Sequence, residues 1–185
     1  KSFKIHIAMY IASYVAVDFL MALFVYFLND YLGKAGLYSV AMGALLLTQI
    51  LMMPAYVAIS NKKGKGVAYR IGLSIWAVGM LLVFLLNPSS SAIAVVLVCM
   101  VIGAGLSAGI LIPWAILPSI TDVDELITGE QRAGTYSGAM TLIRKMVQGL
   151  IALPLTGLLL DLIKYVPNTV QQESTLLSLR YLFIF

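Results

Sequence analysis

The fold class of this chain is decided by residues 92–117, AIAVVLVCMVIGAGLSAGILIPWAIL, which contain no charged side chain. A helix of roughly 20 apolar residues crosses the hydrocarbon core of a bilayer, whereas a surface helix of a soluble domain keeps one polar face. The apolar residues also run on without alternation, so the stretch does not fit a strand of a membrane β-barrel. Residues 92–117 therefore predict a transmembrane helix.

The composition of the whole chain supports the same class. Of its 185 residues, 61% are hydrophobic and 11% are charged, and the mean hydropathy is +0.98. A soluble domain has roughly a quarter of its residues charged, so soluble, secreted, fibrous and disordered classes are excluded. One cysteine and one histidine cannot supply a disulfide framework or a Cys/His metal site, and no P-loop, HExxH or nucleophile elbow is present. We expect neither an enzyme nor a metalloprotein.

Applied along the chain, the same length criterion predicts an all-α integral membrane bundle with five complete spans and the start of a sixth. The spans are residues 4–32, 36–60, 67–86, 92–117, 134–165 and, incomplete, 176–185. Polar connections rich in Gly, Pro and Asn separate them at residues 33–36, 61–66, 87–91, 118–133 and 167–175.

Basic residues at the ends of the spans predict the orientation, because basic loops stay on the cytoplasmic side. One side carries seven of them and the other side three: Lys1, Lys4, Lys62, Lys63, Lys65, Arg70 and Arg132 against Lys34, Lys164 and Arg180. The start of the chain is therefore predicted to be cytoplasmic. The formal net charge of +4 reflects this topology rather than a nucleic-acid partner.

Asp18 lies near the middle of the first span, where a charge is costly and therefore a candidate for function. His6, Tyr10 and Tyr14 precede it at intervals of four residues and form a polar stripe along one helix face. The stripe should face protein or water. Asp18 either takes part in binding or coupling, or bonds a neighbouring helix while the tyrosines act as interface anchors.

A second polar face lies on the fifth span, formed by Ser137, Thr141, Lys145 and Gln148, with Arg144 roughly 100° around the helix. Lys145 lies ~16 Å along the helix axis from Gly134, too deep for easy snorkelling. In the functional interpretation, Lys145 pairs with a carboxylate or takes part in a coupling-cation site. In the alternative, it forms an ion pair between helices, for example with Asp18, that only holds the bundle together. We favour the functional interpretation because an unneeded buried cation costs a few kcal/mol.

Two oppositely charged loops fall on the same predicted side. Residues 118–133 contain acids and one arginine, residues 61–66 are basic, and together they form a candidate cytoplasmic gate: Lys62, Lys63, Lys65, Asp122, Asp124, Glu125 and Arg132. The alternative is a solvated surface with ion pairs worth under ~1 kcal/mol each. In the fourth span, Gly105 and Gly109 form a GxxxG pair that predicts close helix packing.

Three segments resemble one transporter family. Residues 113–145, PWAILPSITDVDELITGEQRAGTYSGAMTLIRK, resemble the segment between helices ten and eleven of the glycoside-pentoside-hexuronide:cation symporters, the melibiose-carrier branch of the major facilitator superfamily. Residues 157–179, with Tyr165, Pro167 and Asn168, resemble the approach to the last helix of that branch. Residues 61–66 are similar to its basic loop between helices eight and nine.

The resemblance implies the six-helix C-terminal half of a twelve-helix transporter, with the last helix truncated and an N-terminal half as partner in the bilayer. Members of the family carry sugars with sodium, protons or lithium, and their paired cation-binding acids lie mainly in the N-terminal half. Lys145 matches the lysine of helix eleven near the cation site, and Thr141 matches a threonine near the sugar. A shift of one residue would give the lysine's role to Arg144.

The function expected from this resemblance is cation-coupled symport of a sugar or glycoside by alternating access, with Na+ or H+ as coupling ion and no other cofactor. Candidate substrate-binding residues are Tyr14, Trp114, Thr141 and Gln148, and candidate coupling residues are Lys145, Asp18 and Arg144. The expected location is the bacterial plasma (inner) membrane. The alternatives are a lysolipid or other solute carrier of the same branch and a non-transporting membrane scaffold.

The orientation is testable by cysteine labelling in a background where Cys99 is replaced by serine. Cysteines at Lys63 and Glu125 should be shielded from an impermeant thiol reagent outside intact cells, whereas a cysteine at Asn168 should react, because seven basic residues hold their side in the cytoplasm. Labelling is read on a gel by mass shift. Reaction at Lys63 in intact cells would reverse the orientation.

Overall fold

The computed structural model describes residues 2–167, 169 and 171–184, and within these the chain forms helices and short connections. Five helical stretches are long and apolar enough to cross a membrane: Phe3–Tyr31, Ala35–Lys63, Lys65–Val83, Ala92–Thr128 and Ala133–Leu162. The protein is therefore an all-α, multi-pass membrane protein. Lys1, used in the charge count, and Asn168, used in the family resemblance and the labelling experiment, lie outside the described residues.

The helices follow one another with short turns. They are α1 (Ser2–Tyr26) continued by a π-helical turn (Phe27–Tyr31), a 3-10 turn (Ala35–Leu37), α2 (Tyr38–Lys63), α3 (Lys65–Val83), α4 (Ala92–Thr128), α5 (Ala133–Val147) continued by a π-helical turn (Gln148–Ala152), α6 (Leu153–Leu162) and α7 (Glu173–Ile184). The fifth predicted span thus consists of α5, its π-helical turn and α6. The last helix begins three residues before its predicted start at residue 176.

The predicted loop at residues 118–133 is wrong over most of its length, because α4 continues to Thr128. Pro113 and Pro118 both lie inside this helix, so neither ends it although each lacks a backbone donor. The helix stops at Gly129, whose φ of 72° is left-handed and whose amide bonds to the Glu125 carbonyl at 2.8 Å. Asp122, Asp124 and Glu125 are therefore helical residues, and only residues 129–132 connect α4 to α5.

The predicted loop at residues 61–66 is also wrong, since a single residue separates α2 from α3. Gly64 has φ 89° and ψ 155°, a conformation that L side chains rarely adopt, and this lets the chain reverse within one residue. Lys62 and Lys63 form the last turn of α2, where cations complement the helix dipole, and Lys65 opens α3.

The tightest packing joins α3 and α4. A Cβ atom added to Gly105 would overlap the Trp76 backbone, and one added to Gly72 would overlap Ala108. Gly103 lies in the same way against the Leu45 carbonyl of α2. Gly109, the second glycine of the predicted GxxxG pair, makes only ordinary contact with the Trp76 ring at 3.8 Å. The close approach therefore centres on Gly103 and Gly105.

The largest cluster of buried apolar side chains joins α1 and its π-helical turn to α2, α3, α4, α6 and α7. Phe27 stacks on Phe183 at 4.5 Å between ring centroids and on Tyr31 at 5.2 Å. Arg180 of α7 donates a hydrogen bond to the Phe84 carbonyl, at the end of α3 where helix carbonyls lack intrahelical partners. This contact ties α7 to α3.

Beyond the end of the fifth span, Tyr165 joins the segment that follows α6 to the end of the first span. The Tyr165 hydroxyl donates to Asp30 Oδ2 at 3.0 Å, and its ring packs edge-on against Tyr26 at 5.1 Å. Burial, with the adjacent Asp30 carboxylate, raises the pKa of Tyr165 to about 12. The hydroxyl therefore keeps its proton in the folded protein where an ordinary tyrosine loses it.

Replacing Gly105 by alanine should destabilise the protein by about 1–3 kcal/mol, because the new methyl group overlaps the Trp76 backbone, which cannot swing away. Thermal unfolding in detergent measures the effect. Gly138→Ala is the matched control, since Gly138 lies in α5 with nothing within 4 Å of an added Cβ. Equal stability of the two variants would contradict the close packing of α3 on α4.

The Tyr165 bond predicts an alkaline loss of stability. The pKa of Tyr165 is about 12 in the folded protein and 10.0 in the unfolded protein. Between pH 10 and about pH 12 the unfolded protein therefore loses this proton while the folded protein keeps it, so the free energy of unfolding falls as the pH rises through this range. Tyr165→Phe should lower stability below pH 10, and it should lack the part of the stability loss above pH 10 that comes from ionisation of Tyr165. The measurement is the unfolding temperature as a function of pH for the parent, for Tyr165→Phe and for the control Tyr181→Phe, whose tyrosine is exposed. An equally steep fall of the unfolding temperature above pH 10 in all three proteins would contradict the prediction.

Candidate functional site

Two of the charged residues predicted inside the membrane, Asp18 and Arg144, meet between α1 and α5. Gln148 Nε2 donates to Asp18 Oδ1 at 3.0 Å, and Arg144 Nη2 lies 4.0 Å from the same oxygen. The side chains of Asp18 and Arg144 are 12% and 30% exposed. The buried acid is thus satisfied by an amide donor and by a cation at the outer limit of an ion pair, which fits the cost of a charge at this depth.

Aromatic residues complete this cluster. The Arg144 guanidinium lies over the Tyr14 ring, with 4.0 Å from Cζ to the ring centroid. Trp114 Nε1 of α4 donates to the Tyr14 hydroxyl at 3.0 Å, and Tyr10 packs against both rings at centroid distances of 4.6 and 5.7 Å. A cation over a buried aromatic face is attracted by the ring electrons, and the hydrogen bond from Trp114 anchors the hydroxyl end of this tyrosine.

The structure divides the predicted polar face of the fifth span in two. Lys145 lies with Ser137 and Thr141 along an open cavity of about 530 Å³, whereas Gln148 turns inward to Asp18. The π-helical turn that begins at Gln148 widens the helix from this residue onward, so the regular spacing that predicted one face no longer applies. Arg144, and not Lys145, is the cation nearest Asp18.

The gate residues lie at the same end of the bundle, but they do not form the predicted pairs. Arg132 Nε lies 3.0 Å from Glu130 Oε2 and 3.9 Å from Asp124 Oδ2. Lys65 Nζ donates to Ser119 Oγ at 2.7 Å. Within the described residues, no ion pair joins Lys62, Lys63 or Lys65 to Asp122, Asp124 or Glu125.

Two contacts of α1 carry no signal in the sequence. Ser13 and the Tyr69 hydroxyl share a hydrogen bond of 2.6 Å that joins α1 to α3, and Trp114 reaches Tyr14 across a hundred residues of chain.

His6 is buried, and neither ring nitrogen has a hydrogen-bond partner in the part of the chain described. Among the described residues, no group of three or more His, Cys, Asp or Glu residues could hold a metal ion.

A separate cavity of about 820 Å³ lies between α1, α3, α6 and α7. Its wall is apolar, with Phe19, Trp76, Leu155 and Leu182 among its side chains, and none of the described residues that line it is charged. A polar solute would lose its hydrogen bonds to water there without replacement. The charged and polar side chains of Asp18, Arg144 and Gln148, with Tyr14 and Trp114, lie apart from this apolar wall, and we call them the Asp18 cluster.

Comparisons with known proteins bear on this arrangement. The chain is 28% identical to an uncharacterized symporter of Synechocystis over 98% of the chain and 34% of the relative. It is 33% identical to a putative sulfoquinovose importer of Salmonella typhimurium and 31% identical to a putative 2,3-dihydroxypropane-1-sulfonate exporter of Escherichia coli. Both of these matches cover 85% of the chain and 32% of the relative.

The chain thus spans about a third of the length of these curated relatives. No solved structure matches it significantly. The profile of the family described as "MFS/sugar transport protein" matches residues 1–185, which is the whole sequence. This match over the full sequence agrees with the five membrane-spanning stretches of the structure. The chain therefore belongs to the MFS/sugar transport family of membrane transporters.

Proposed function

We propose that the full-length protein containing this chain is a secondary active transporter that carries a sugar or glycoside together with Na+ or H+ by alternating access. The observation that carries the proposal is the Asp18 cluster, in which an acid and a cation face each other inside a bundle of membrane-spanning helices. A scaffold gains nothing from such groups, whereas ion-coupled transport requires charges that can exchange partners. The proposed activity is transport, with no catalytic chemistry.

An N-terminal six-helix half is the proposed partner. Lys145, Thr141 and Ser137 border a cavity that is open on one side, and Lys145 and Thr141 are exposed on the bundle surface. Exposure of an ammonium group to lipid is unfavourable, so a second protein half covering this wall would satisfy it. The curated relatives are about three times as long as the chain, which is consistent with such a half.

The proposed roles follow from these positions. Lys145 balances carboxylates supplied across the open cavity when the coupling-ion site is empty, and Asp18 and Arg144 form the second charged element of the coupling. Trp114, which is 37% exposed, offers a ring face to a sugar, and Thr141 and Gln148 offer hydrogen bonds. Tyr14, whose ring is covered by Arg144, contributes by positioning Trp114 and the guanidinium. Because two relatives are named for sulfoquinovose and a dihydroxypropane sulfonate, sulfonated sugar derivatives are the first substrates to test.

We also propose the gate as a contact of another conformation, in a bacterial inner membrane with the start of this segment in the cytoplasm. Lys65 bonds Ser119, which lies three residues before Asp122 on α4. A shift by one helical turn would exchange the serine for the acid, and shifts of this size occur in switching proteins. Neutralising Asp122 should then change transport rate more than equilibrium solute binding.

Lys145→Ala should abolish uphill accumulation of sugar by the full-length protein, because the empty ion site would keep uncompensated negative charge. Uptake into proteoliposomes is measured with a sodium gradient and, separately, with a proton gradient, at matched protein content. Solute exchange at equal concentrations should persist, since it needs no gradient. A loss of several-fold or more in accumulation is expected, since each ~1.4 kcal/mol of lost coupling changes an equilibrium tenfold.

Lys4→Ala is the matched control, because Lys4 is exposed at the start of α1 and belongs to neither cluster. Near-normal accumulation by Lys145→Ala would remove Lys145 from the coupling site. A selective loss in Arg144→Ala would transfer the role to the neighbouring residue.

A further inference from the structure

Arg144 is held firmly but is incompletely bonded. Its guanidinium lies over the Tyr14 ring, with Cζ 4.0 Å from the ring centroid, yet the Asp18 oxygen nearest to it is also 4.0 Å away. Its Nε atom is buried and has no hydrogen-bond partner in the part of the chain described. A guanidinium carries five N–H donors, and buried donors are normally satisfied. Arg144 is therefore placed to take an acceptor that the ligand-free chain does not supply.

Asp18 accepts its hydrogen bond from Gln148 and not from Arg144. The oxygen that faces Arg144 is Oδ1, which already accepts the amide of Gln148 at 3.0 Å. Gln148 is thus the hydrogen-bond donor to this oxygen, and Arg144 attracts it only as a nearby charge. The other titratable groups facing the pair are Tyr10 and Tyr14 of α1 and Lys145 of α5, while α4 contributes the indole of Trp114. Two cations and one acid leave this site with an excess of positive charge.

We infer that Arg144 binds the anionic group of the transported solute, a sulfonate or carboxylate, in exchange for Asp18, which takes up a proton as the solute binds. This inference rests on the proposed transport function and names the substrate class and the coupling ion for the same site. Guanidinium forms two parallel hydrogen bonds to the oxygens of such groups, a geometry that a lysine cannot offer.

The exchange balances in charge. A proton from water joins Oδ2 of Asp18, and the bond from Gln148 to Oδ1 remains. The neutral acid no longer attracts Arg144, whose freed donors bind two oxygens of the solute. The solute anion replaces the lost carboxylate charge, so one proton and one anion enter the site together. Tyr14, fixed by Trp114, keeps the guanidinium plane in place throughout.

The test measures solute exchange by the full-length protein in proteoliposomes at about pH 6 and about pH 8, using glucuronate, 6-sulfonated glucose and glucose as probes. Both acids stay ionised over this range, so any pH effect belongs to the protein. The half-saturating concentration of each anion should rise about tenfold or more towards pH 8, because ionised Asp18 then competes for Arg144. That of glucose should change less than about twofold.

Two variants separate the roles. Asp18→Asn should bind the anions tightly at both pH values, because the competing charge is gone. Arg144→Gln should raise the half-saturating concentration of the anions roughly tenfold or more and that of glucose by a clearly smaller factor, because only the anions lose charge-assisted hydrogen bonds. Arg144→Lys should recover part of the anion affinity. The exposed Arg70→Gln is the matched control and should behave as the parent.

The outcomes separate this inference from the proposed function. If the protein exchanges glucose while anions bind equally at both pH values, or Arg144→Gln weakens glucose and anions alike, the inference is overturned and transport stands. If the folded protein exchanges none of the three probes, nor any other sugar, the proposed function itself fails. If the parent exchanges only the anions, the inference is supported, and the pH dependence of anion exchange is then compared between the parent and Asp18→Asn.

Discussion

The arrangement of this chain depends on the cost of leaving a charge unpaired in lipid. Asp18 lies in the first membrane-spanning helix, where neither water nor lipid can solvate a carboxylate, and the amide of Gln148 and the guanidinium of Arg144 are its partners in the protein. This requirement turns one face of α1 and one face of α5 towards each other. Lys145, Thr141 and Ser137 lie on another face of α5, along the open cavity.

The bundle combines two kinds of helix contact. Between α2, α3 and α4, glycines bring backbones so close that no side chain could be inserted, and such contacts have little freedom to rearrange. Between α1 and α5, polar and aromatic side chains mediate the contact, and several of their bonding groups are incompletely satisfied. A rigid three-helix frame thus supports a region whose bonds can change partners, which is the property that a transporter needs.

The sequence predicted the five spans because their apolar length is a local property of consecutive residues. It failed at residues 118–128, where polar residues and Pro118 indicated a loop although α4 continues until Gly129 permits a left-handed turn. It identified Asp18, Arg144, Lys145 and Gln148 as candidates from the cost of polar groups in lipid. It did not predict that Arg144 rather than Lys145 faces Asp18, because a π-helical turn and a tyrosine ring contact have no periodic signature.

The first span is bonded at two levels. Gln148 binds Asp18, and Tyr165 binds Asp30, twelve residues or ~18 Å further along the first span. Gln148 belongs to the fifth span, whereas Tyr165 lies three residues beyond the end of α6 at Leu162. The fifth span is thus held to the first directly at one level and through the segment that follows it at the other, so the two should tilt together when the bundle changes conformation.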